Sequence, residues 1–208
     1  MGNQQENEEV HDIDWAWLAG MMNGDGCFSL QLRKRENRWK CDVSITLTQT
    51  DPAIIERATE ILNIGIGVNP SIQEYEACGA GINNKFNLRV TKMAHIERWI
   101  SKIVPFMCGN KLARAKLMRR YVMNRMQYEG TSRKRNTIES DPEALSIASD
   151  YYRLTGNDVP GEISQTLRDY PQGVGASAPK RTAPQGEDIV RSCVKAQASN
   201  GMVSEVAC

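Results

Sequence analysis

The stretch Trp15-Ala-Trp-Leu-Ala-Gly-Met-Met-Asn-Gly-Asp-Gly-Cys-Phe-Ser29 changes its hydrophobic period and carries a single carboxylate at the change. Up to Asn23 it favours a helix, because two aspartates just before it can accept the free amide protons of a first turn and a compact apolar block follows. From Phe28 the residues favour a strand. Glycines flank Asp25 on both sides, and glycine permits unusual backbone angles and the close approach of another backbone. We therefore expect Asp25 at a helix end with its carboxylate free.

Two glycines of this helix, Gly20 and Gly24, lie four residues apart and so share one face. Because they carry no side chains, they leave a notch into which a second helix can pack at short range. Two copies of the helix packed in this way would bring two Asp25 carboxylates side by side. We therefore expect a homodimer whose interface contains Leu18, Gly20, Met21 and Gly24. The alternative is an ordinary apolar helix that ends in a glycine turn.

The length of 208 residues allows one full hydrophobic core, so we expect one domain with extensions. The net charge of +1 excludes a wholly basic nucleic-acid coat protein. It permits a basic face, because the charges are unevenly placed. The N-terminus is acidic, whereas the segment 111–125 carries six Lys or Arg and no Asp or Glu.

The six cysteines form no Cys-x-x-Cys pair and lie near no His at metal-ligand spacing, so neither a zinc site nor a disulfide framework is indicated. No apolar run approaches the length of about 18 residues that crosses a bilayer. The acidic N-terminus also lacks the basic region of a signal peptide. We expect a soluble, intracellular protein without a membrane partner; an organelle, a bacterium and a phage-infected cell are not distinguished.

Two alternating runs, 28–35 and 40–48, predict an antiparallel pair of strands with one apolar and one polar face. A second pair is predicted at about 66–76 and 85–92, separated by the loop 78–84. Together the four strands predict one curved antiparallel sheet. Its inner face is expected to be covered by helices and its outer face to be polar.

Helical periodicity and capping residues predict further helices between and after these strands. They comprise a helix that starts at Asp51-Pro52 and ends at Asn63 and Gly65, one that runs to Pro105, a long one from Lys111, one from the capping box Ser140-Asp-Pro-Glu143 to Gly156, and a short one over 160–167. The fold class is therefore α+β, with an αββαββα core and C-terminal helices.

The domain organisation follows from the composition along the chain. Residues 1–11 are polar and acidic and are expected to be disordered. Residues 12–170 form the domain, with a core over 12–128 and a helical extension over 140–170. Gly, Ala, Ser and Pro dominate 171–208, which is expected to be a flexible tail.

The polar face of the predicted sheet suits the major groove of double-stranded DNA, which admits a two-stranded ribbon and shows a distinct donor and acceptor pattern for each base pair. Arg33 and Arg35 suit guanine, and Gln31 suits adenine. The alternative is an ordinary solvated sheet face. The position of Asp25 at the start of the same ribbon favours DNA.

Asp25 also suggests a chemistry for such a face. Cutting a phosphodiester requires a metal ion that activates water and offsets charge on the leaving oxygen, and carboxylate is a preferred ligand of Mg²⁺. One aspartate per chain gives a poor site. A symmetric dimer supplies two, next to phosphates of opposite strands, and implies a nearly palindromic target.

The nonapeptide Leu18-Ala-Gly-Met-Met-Asn-Gly-Asp-Gly26 resembles the motif of the LAGLIDADG homing endonucleases. Residues 13 to about 170 are similar, element by element, to the homodimeric single-motif branch of that family, typified by a chloroplast-intron endonuclease. The resemblance implies that Asp25 is the metal-binding acid and that the Gly24 carbonyl is a backbone ligand of Mg²⁺ or Mn²⁺.

The resemblance implies further catalytic roles. Gln49 matches the glutamine that helps to order the water network, and Lys111 matches the basic residue near the scissile phosphate. Without the resemblance, Gln49 is simply a polar residue at a strand end and Lys111 a surface charge at a helix N-terminus. Ala53 stands where a second basic residue is expected, and Arg57 is a candidate to compensate for it.

The resemblance also assigns the residues that read bases. The outward side chains of the first two strands fall on the base-reading positions of the family, and Asn87 and Arg89 extend the same face. The full set is Ser29, Gln31, Arg33, Arg35, Lys40, Asp42, Ser44, Thr46, Asn87 and Arg89. The segment 140–156 resembles the C-terminal helix that lies near the DNA backbone.

These features predict a site-specific endonuclease, encoded in a mobile intron, that cuts both strands of a long pseudo-palindromic target by metal-dependent hydrolysis. The alternative is a non-cleaving binder on the same scaffold, either an intron maturase or a repressor, and intron RNA is then a further partner. A third possibility is a structural or interaction domain, which predicts no affinity for DNA.

Overall fold

The computed structural model describes residues 9–76, 84–127 and 138–169. The elements in chain order are α1 (Asp12–Gly24), β1 (Gly26–Arg35), β2 (Arg38–Gln49), α2 (Pro52–Ile66), β3 (Ser71–Tyr75), β4 (Lys85–Val90), α3 (Met93–Ile103), α4 (Gly109–Met126), α5 (Pro142–Thr155) and α6 (Gly161–Asp169). The predicted αββαββα core with C-terminal helices is confirmed. No helix in these ranges combines the length and the apolar character needed to cross a membrane.

The four strands form one antiparallel sheet in the order β1-β2-β4-β3. Glu36 and Asn37 connect β1 to β2, and both have positive φ angles, of 51° and 58°. Such a two-residue turn twists in the same sense as the strands that it joins. It places Arg35 directly opposite Arg38 and thereby sets the register of the whole hairpin.

The hydrophobic core lies on one face of this sheet. Phe28, Ile45 and Leu88, from three different strands, pack there against apolar side chains of the helices. The largest fully buried side chains from the helices are Trp99 of α3 and Tyr121 of α4. All helices that contribute to the core therefore cover the same side of the sheet, and the opposite face is left polar.

The start of α2 was predicted correctly but its end was not. Asp51 caps the helix by accepting a hydrogen bond of 2.9 Å from the Ala53 amide. The helix continues past Asn63 and ends where Gly67 adopts a φ of 64°. Gly65 is needed for another reason, because a Cβ there would lie 2.4 Å from the ring of Trp15. As a consequence β3 begins at Ser71 rather than near residue 66.

Two other helix starts differ from the prediction by one or two residues. The long helix α4 begins at Gly109, which itself has a φ of 61°, instead of at Lys111. The N-cap of α5 is Asp141 rather than Ser140, and its carboxylate accepts a hydrogen bond of 3.0 Å from the Ala144 amide. The predicted loop 78–84 and the predicted tail 171–208 lie wholly or largely outside the described residues.

The free edge of β1 is covered by α5. The hydroxyl of Tyr151 donates a hydrogen bond to the Phe28 carbonyl. The hydroxyl of Tyr152 accepts one, of 2.9 Å, from the Leu32 amide. These contacts satisfy backbone groups that an edge strand would otherwise expose, and they hold the C-terminal helices against the side of the sheet.

Candidate functional site

Asp25 lies where α1 passes into β1. Its amide still donates a hydrogen bond of 2.9 Å to the Met21 carbonyl, so it closes the last turn of the helix. Neither flanking glycine has a positive φ, and the expected unusual backbone angles are absent at this point. Gly26 instead allows a close approach, because a Cβ there would lie 2.7 Å from the Cα of Met22.

Gln49 reaches Asp25 from the end of β2. The antiparallel register pairs Gly26 with Leu47, so the last residue of β2 comes to lie beside the first residues of β1. The Gln49 side chain donates a hydrogen bond of 2.6 Å from Nε2 to Oδ2 of Asp25. The expectation of a free carboxylate is therefore wrong, although the Asp25 side chain is exposed to solvent.

Lys111 reaches the same point from the first turn of α4. Its ammonium donates hydrogen bonds of 2.6 Å to the Gly24 carbonyl and 2.8 Å to the Gly26 carbonyl. The structure thus brings Asp25, Gln49 and Lys111 together around the α1–β1 junction. Two backbone carbonyls there are already directed at a positive charge. The catalytic roles of these residues stay predictions.

Arg57 does not take the place left open by Ala53. It forms an ion pair of 3.2 Å with Asp14 and lies over the ring of Trp17 at 4.6 Å. Asp14 is in the first turn of α1, and eleven residues of helix separate it from Asp25, about 16 Å at the usual rise. The idea that Arg57 compensates at the site is therefore wrong.

The donors at this junction suit a hard divalent cation but are few. Asp25 contributes a carboxylate and Gly24 a carbonyl, which are oxygen ligands of the kind that Mg²⁺ binds. Within the described ranges there is no group of three or more His, Cys, Asp or Glu side chains that could hold a metal ion. A single chain accordingly supplies only part of a metal site.

The ten residues predicted to read bases lie on one face of the sheet. Strand register places Ser29 opposite Ser44, Gln31 opposite Asp42, Arg33 opposite Lys40, and Thr46 opposite Arg89. Most of these side chains are exposed or half-exposed, but Ser44 is only 7% exposed and is poorly placed to contact a ligand. Together with the other residues on the same side of the strands, the remaining nine form a continuous polar surface, which we call the polar sheet face.

Sequence reasoning missed several members of this face. Arg38, Lys85, Gln73 and Tyr75 lie on it by strand register. The two-residue turn was the available signal for Arg38, because a fixed turn places that residue opposite Arg35. Cationic side chains dominate the described strand residues of this face. They are Arg33, Arg35, Arg38, Lys40, Lys85 and Arg89, against one acid among the same residues, Asp42.

Asp42 organises the arginines near the tip of the hairpin. Its Oδ2 lies 2.8 Å from Nη2 of Arg35 and 3.7 Å from Nε of Arg33. Arg33 also donates a hydrogen bond of 2.7 Å to Gln31. Exposed pairs of this kind contribute little to stability. Their effect is to orient the two guanidinium groups across the face.

The exposed side of α1 agrees only partly with the predicted interface. Gly20 and Gly24 are exposed, and no atom lies within 4 Å of a Cβ built on either. Met21 is half-buried. Leu18 is 0% exposed in the core of its own chain, so its assignment to the interface is wrong. Sequence reasoning missed Ile13, which is 75% exposed on this helix.

A layer of helices on one face of a four-stranded sheet, with an acid at the end of the first helix, is the architecture of a nuclease family. The family model described as LAGLIDADG endonuclease matches residues 18–119, which span α1 to α4 and contain Asp25, Gln49 and Lys111. The part of the chain from α1 to α4 is thus similar to the LAGLIDADG endonucleases, and the fold matches that of LAGLIDADG homing endonuclease structures.

Solved structures share the fold at low sequence identity. One is I-GzeII in complex with its DNA target, with a TM-score of 0.54, 17% identity, and coverage of 82% of this chain and 54% of that chain. Another is the group I intron-encoded homing endonuclease I-CeuI complexed with DNA, with a TM-score of 0.52, 16% identity, and coverage of 76% and 77%. I-CvuI, in complex with the I-CreI target, has 22% identity over 93% and 99% of the two chains and a TM-score of 0.48. No curated protein matches the chain.

Proposed function

We propose that the protein is a site-specific endonuclease that cuts both strands of a long, pseudo-palindromic DNA target. The main observation behind the proposal is the junction of α1 and β1. Asp25, Gln49 and Lys111 come together there, at one end of the cationic polar sheet face. The DNA complexes of I-GzeII and I-CeuI support DNA as the ligand.

The polar sheet face is the part that would read the target. It is antiparallel, lies away from the helices and carries six cationic groups against one acid. Such a ribbon fits the major groove, where arginine can bind guanine through two hydrogen bonds. Arg33 and Arg35, already oriented by Asp42, are the leading candidates for direct base contacts.

The active form would be a homodimer of the single-motif type. The exposed side of α1 combines the Gly20 and Gly24 notch with the apolar side chains of Ile13, Trp17 and Met21, which recur at helical spacing. An apolar exposed stripe of this kind indicates a protein interface. Pairing two α1 helices would place two Asp25 carboxylates near one another and complete a site that one chain leaves partial.

A divalent cation, Mg²⁺ or Mn²⁺, would be held by Asp25 and the Gly24 carbonyl of the paired chains. The chemistry of these oxygen donors fits such an ion. In the single chain the Lys111 ammonium bonds the same carbonyl and would have to share it with the ion. Such an ion supplies a more acidic bound water and offsets charge on the leaving oxygen. Gln49 holds Oδ2 of Asp25 and so leaves Oδ1 for the ion. Lys111 adds a positive charge beside the phosphate to be cut.

A cleavage selection tests this proposal. The protein is incubated with a library of randomised duplexes in Mg²⁺ or in EDTA, and the cut ends are captured and sequenced. We expect pseudo-palindromic sites, cut on both strands, in the Mg²⁺ arm alone. Duplexes that are bound but never cut would identify a non-cleaving binder, and intron RNA would then be the next ligand to test.

A further inference from the structure

A cleft lies beside the free edge of β1, between that strand and the helices α4 and α5. Its volume is about 590 Å³. Ser29, Gln31 and Arg33 line it from the strand, and Arg114 of α4 lines it from the opposite side. The three strand residues belong to the polar sheet face as well, so the cleft adjoins the surface proposed to bind DNA.

Arg114, which is half-buried, has an unpaired donor in this cleft. Its Nε atom is buried and has no hydrogen-bond partner among the described residues. The guanidinium forms no ion pair with any residue in the described ranges. Buried donors are nearly always paired, and a buried N–H group without a partner costs free energy. An arginine in this state indicates an acceptor that the described residues do not supply.

The other polar groups of the cleft do not serve as that acceptor. The Tyr151 hydroxyl donates to the Phe28 carbonyl, and the Tyr152 hydroxyl accepts from the Leu32 amide. Burial raises the pKa of Tyr151 to about 12, so this hydroxyl, which lines the same cleft as Arg114, carries no charge that could pair with the guanidinium at neutral pH. Asp158 also lines the cleft but forms no ion pair with Arg114.

We propose that Arg114 binds a backbone phosphate of the DNA that lies on the polar sheet face, with the cleft admitting that phosphate at the edge of β1. The planar guanidinium presents two parallel N–H groups to phosphate oxygens, and such pairs are among the strongest hydrogen bonds in proteins. A phosphate contact positions a duplex without reading its sequence. Arg114 therefore fixes the register of the DNA relative to Asp25. The inference rests on the proposed function.

The test uses the salt dependence of DNA binding. A fluorescein-labelled duplex of mixed sequence is titrated with the full-length protein in Ca²⁺ at a series of KCl concentrations, and anisotropy gives each Kd. A phosphate contact carries no sequence information, so the unknown target is not required. Each phosphate neutralised contributes about −0.9 to the slope of log affinity against log salt. Arg114→Gln is expected to make the slope less negative by about this amount, and Arg114→Lys to keep it.

Arg98→Gln is the matched control, because Arg98 is exposed on α3 and its side chain, among the described residues, bonds only the Ile66 carbonyl, at 3.4 Å. Thermal unfolding gives a second measurement. Because Arg114 has no ion-pair partner among the described residues and its Nε atom is unpaired there, Arg114→Gln should leave Tm unchanged or raise it. A slope equal to that of the wild type, or a marked fall in Tm, would overturn the inference and leave the proposed function standing. A wild-type protein that does not bind the duplex at all would overturn both.

Discussion

At the scale of single residues, Asp25 and Gln49 act as a pair. The hydrogen bond between them is 2.6 Å long and joins the end of α1 to the end of β2. A side chain that orients a metal ligand commonly affects metal affinity or activity by about 10-fold to 100-fold. We therefore expect Gln49→Ala to slow cleavage of the recovered target by a factor in this range. Single-turnover cleavage measures the effect.

The neighbouring change Thr50→Ala is the control, because Thr50 is exposed and follows Gln49 directly. It should cut at the wild-type rate. If Gln49→Ala also cuts at that rate, Gln49 has no part in orienting the carboxylate.

Local sequence located Asp25 but did not explain its surroundings. The change from a helical to a strand period at Asp25 is visible in fifteen residues, so its position could be predicted. Glycine is required at position 26 because a Cβ there would lie 2.7 Å from the Cα of Met22. This distance is set by packing, which the local sequence does not show. The error on Arg57 has the same origin, because proximity to Ala53 in sequence does not say which side of α2 the arginine occupies.

At the scale of elements, α5 stabilises the edge strand β1 through two tyrosines. Removing one hydroxyl leaves a backbone amide unpaired, which costs about 1–3 kcal/mol. We expect Tyr152→Phe to lower the free energy of unfolding by an amount in this range and to speed hydrogen exchange of the Leu32 amide. Urea unfolding and amide exchange by NMR measure the two effects.

Tyr75→Phe provides the comparison for this change. Tyr75 is 51% exposed on β3, and within the described ranges its hydroxyl bonds only the exposed Gln73 side chain. Its loss should change stability little. Equal effects of the two substitutions, or an unchanged exchange rate at Leu32, would show that the hydroxyl of Tyr152 does not protect the edge.

Element starts were easier to predict than element ends. Asp51-Pro52 and Asp141-Pro142 bring their own capping groups, so local chemistry marks where α2 and α5 begin. The end of α2 was misread because Gly65 has a packing role and Gly67 the conformational one. The contacts of α5 with the edge of β1 join residues more than 100 positions apart, and no local pattern contains them.

At the scale of the whole molecule, stability should depend on alkaline pH. Burial raises the pKa of Cys41 from 9.0 to about 12 and also raises that of Tyr121, to which Cys41 is hydrogen-bonded. Both groups keep their protons longer in the folded state than in the unfolded state. The free energy of unfolding should therefore keep its highest value below about pH 9 and fall above that pH. The fall is up to about 1.4 kcal/mol per pH unit for each group.

Cys41→Ala removes one of the two groups and should make this alkaline decline shallower. Urea unfolding of both proteins at a series of pH values, at one protein concentration, measures the difference. Parallel declines would contradict the assignment of the effect to Cys41.

Assembly is the second property of the whole molecule. Gly20 and Gly24 have open space around them in the single chain, so a larger residue is tolerated there unless a second helix packs against it. We expect Gly20→Leu to convert a dimer into monomers, measured by sedimentation velocity. Asn63→Leu, a similar change on the exposed side of α2, should leave the dimer intact. A dimer that survives Gly20→Leu has its interface elsewhere.

The same scale shows why part of the site could not be predicted. Alternation along the strands was enough to identify the polar sheet face and nine of its ten predicted members. Arg114, in contrast, lies on a helix whose spacing gives no sign of the cleft, and its importance comes from having no partner there. Such an absence becomes visible only when the strand edge and the two helices are seen together.

The most direct measurement compares wild-type protein, Asp25→Asn and Asp12→Asn on the recovered duplex, with binding followed in Ca²⁺ and cleavage in Mg²⁺. Asp12 is exposed in the first turn of α1, so its substitution removes the same charge at the far end of the same helix. We predict that all three proteins bind, that Asp12→Asn cuts both strands at the wild-type rate, and that Asp25→Asn does not cut. Cleavage by Asp25→Asn at the wild-type rate would contradict a metal-dependent active site at the junction of α1 and β1.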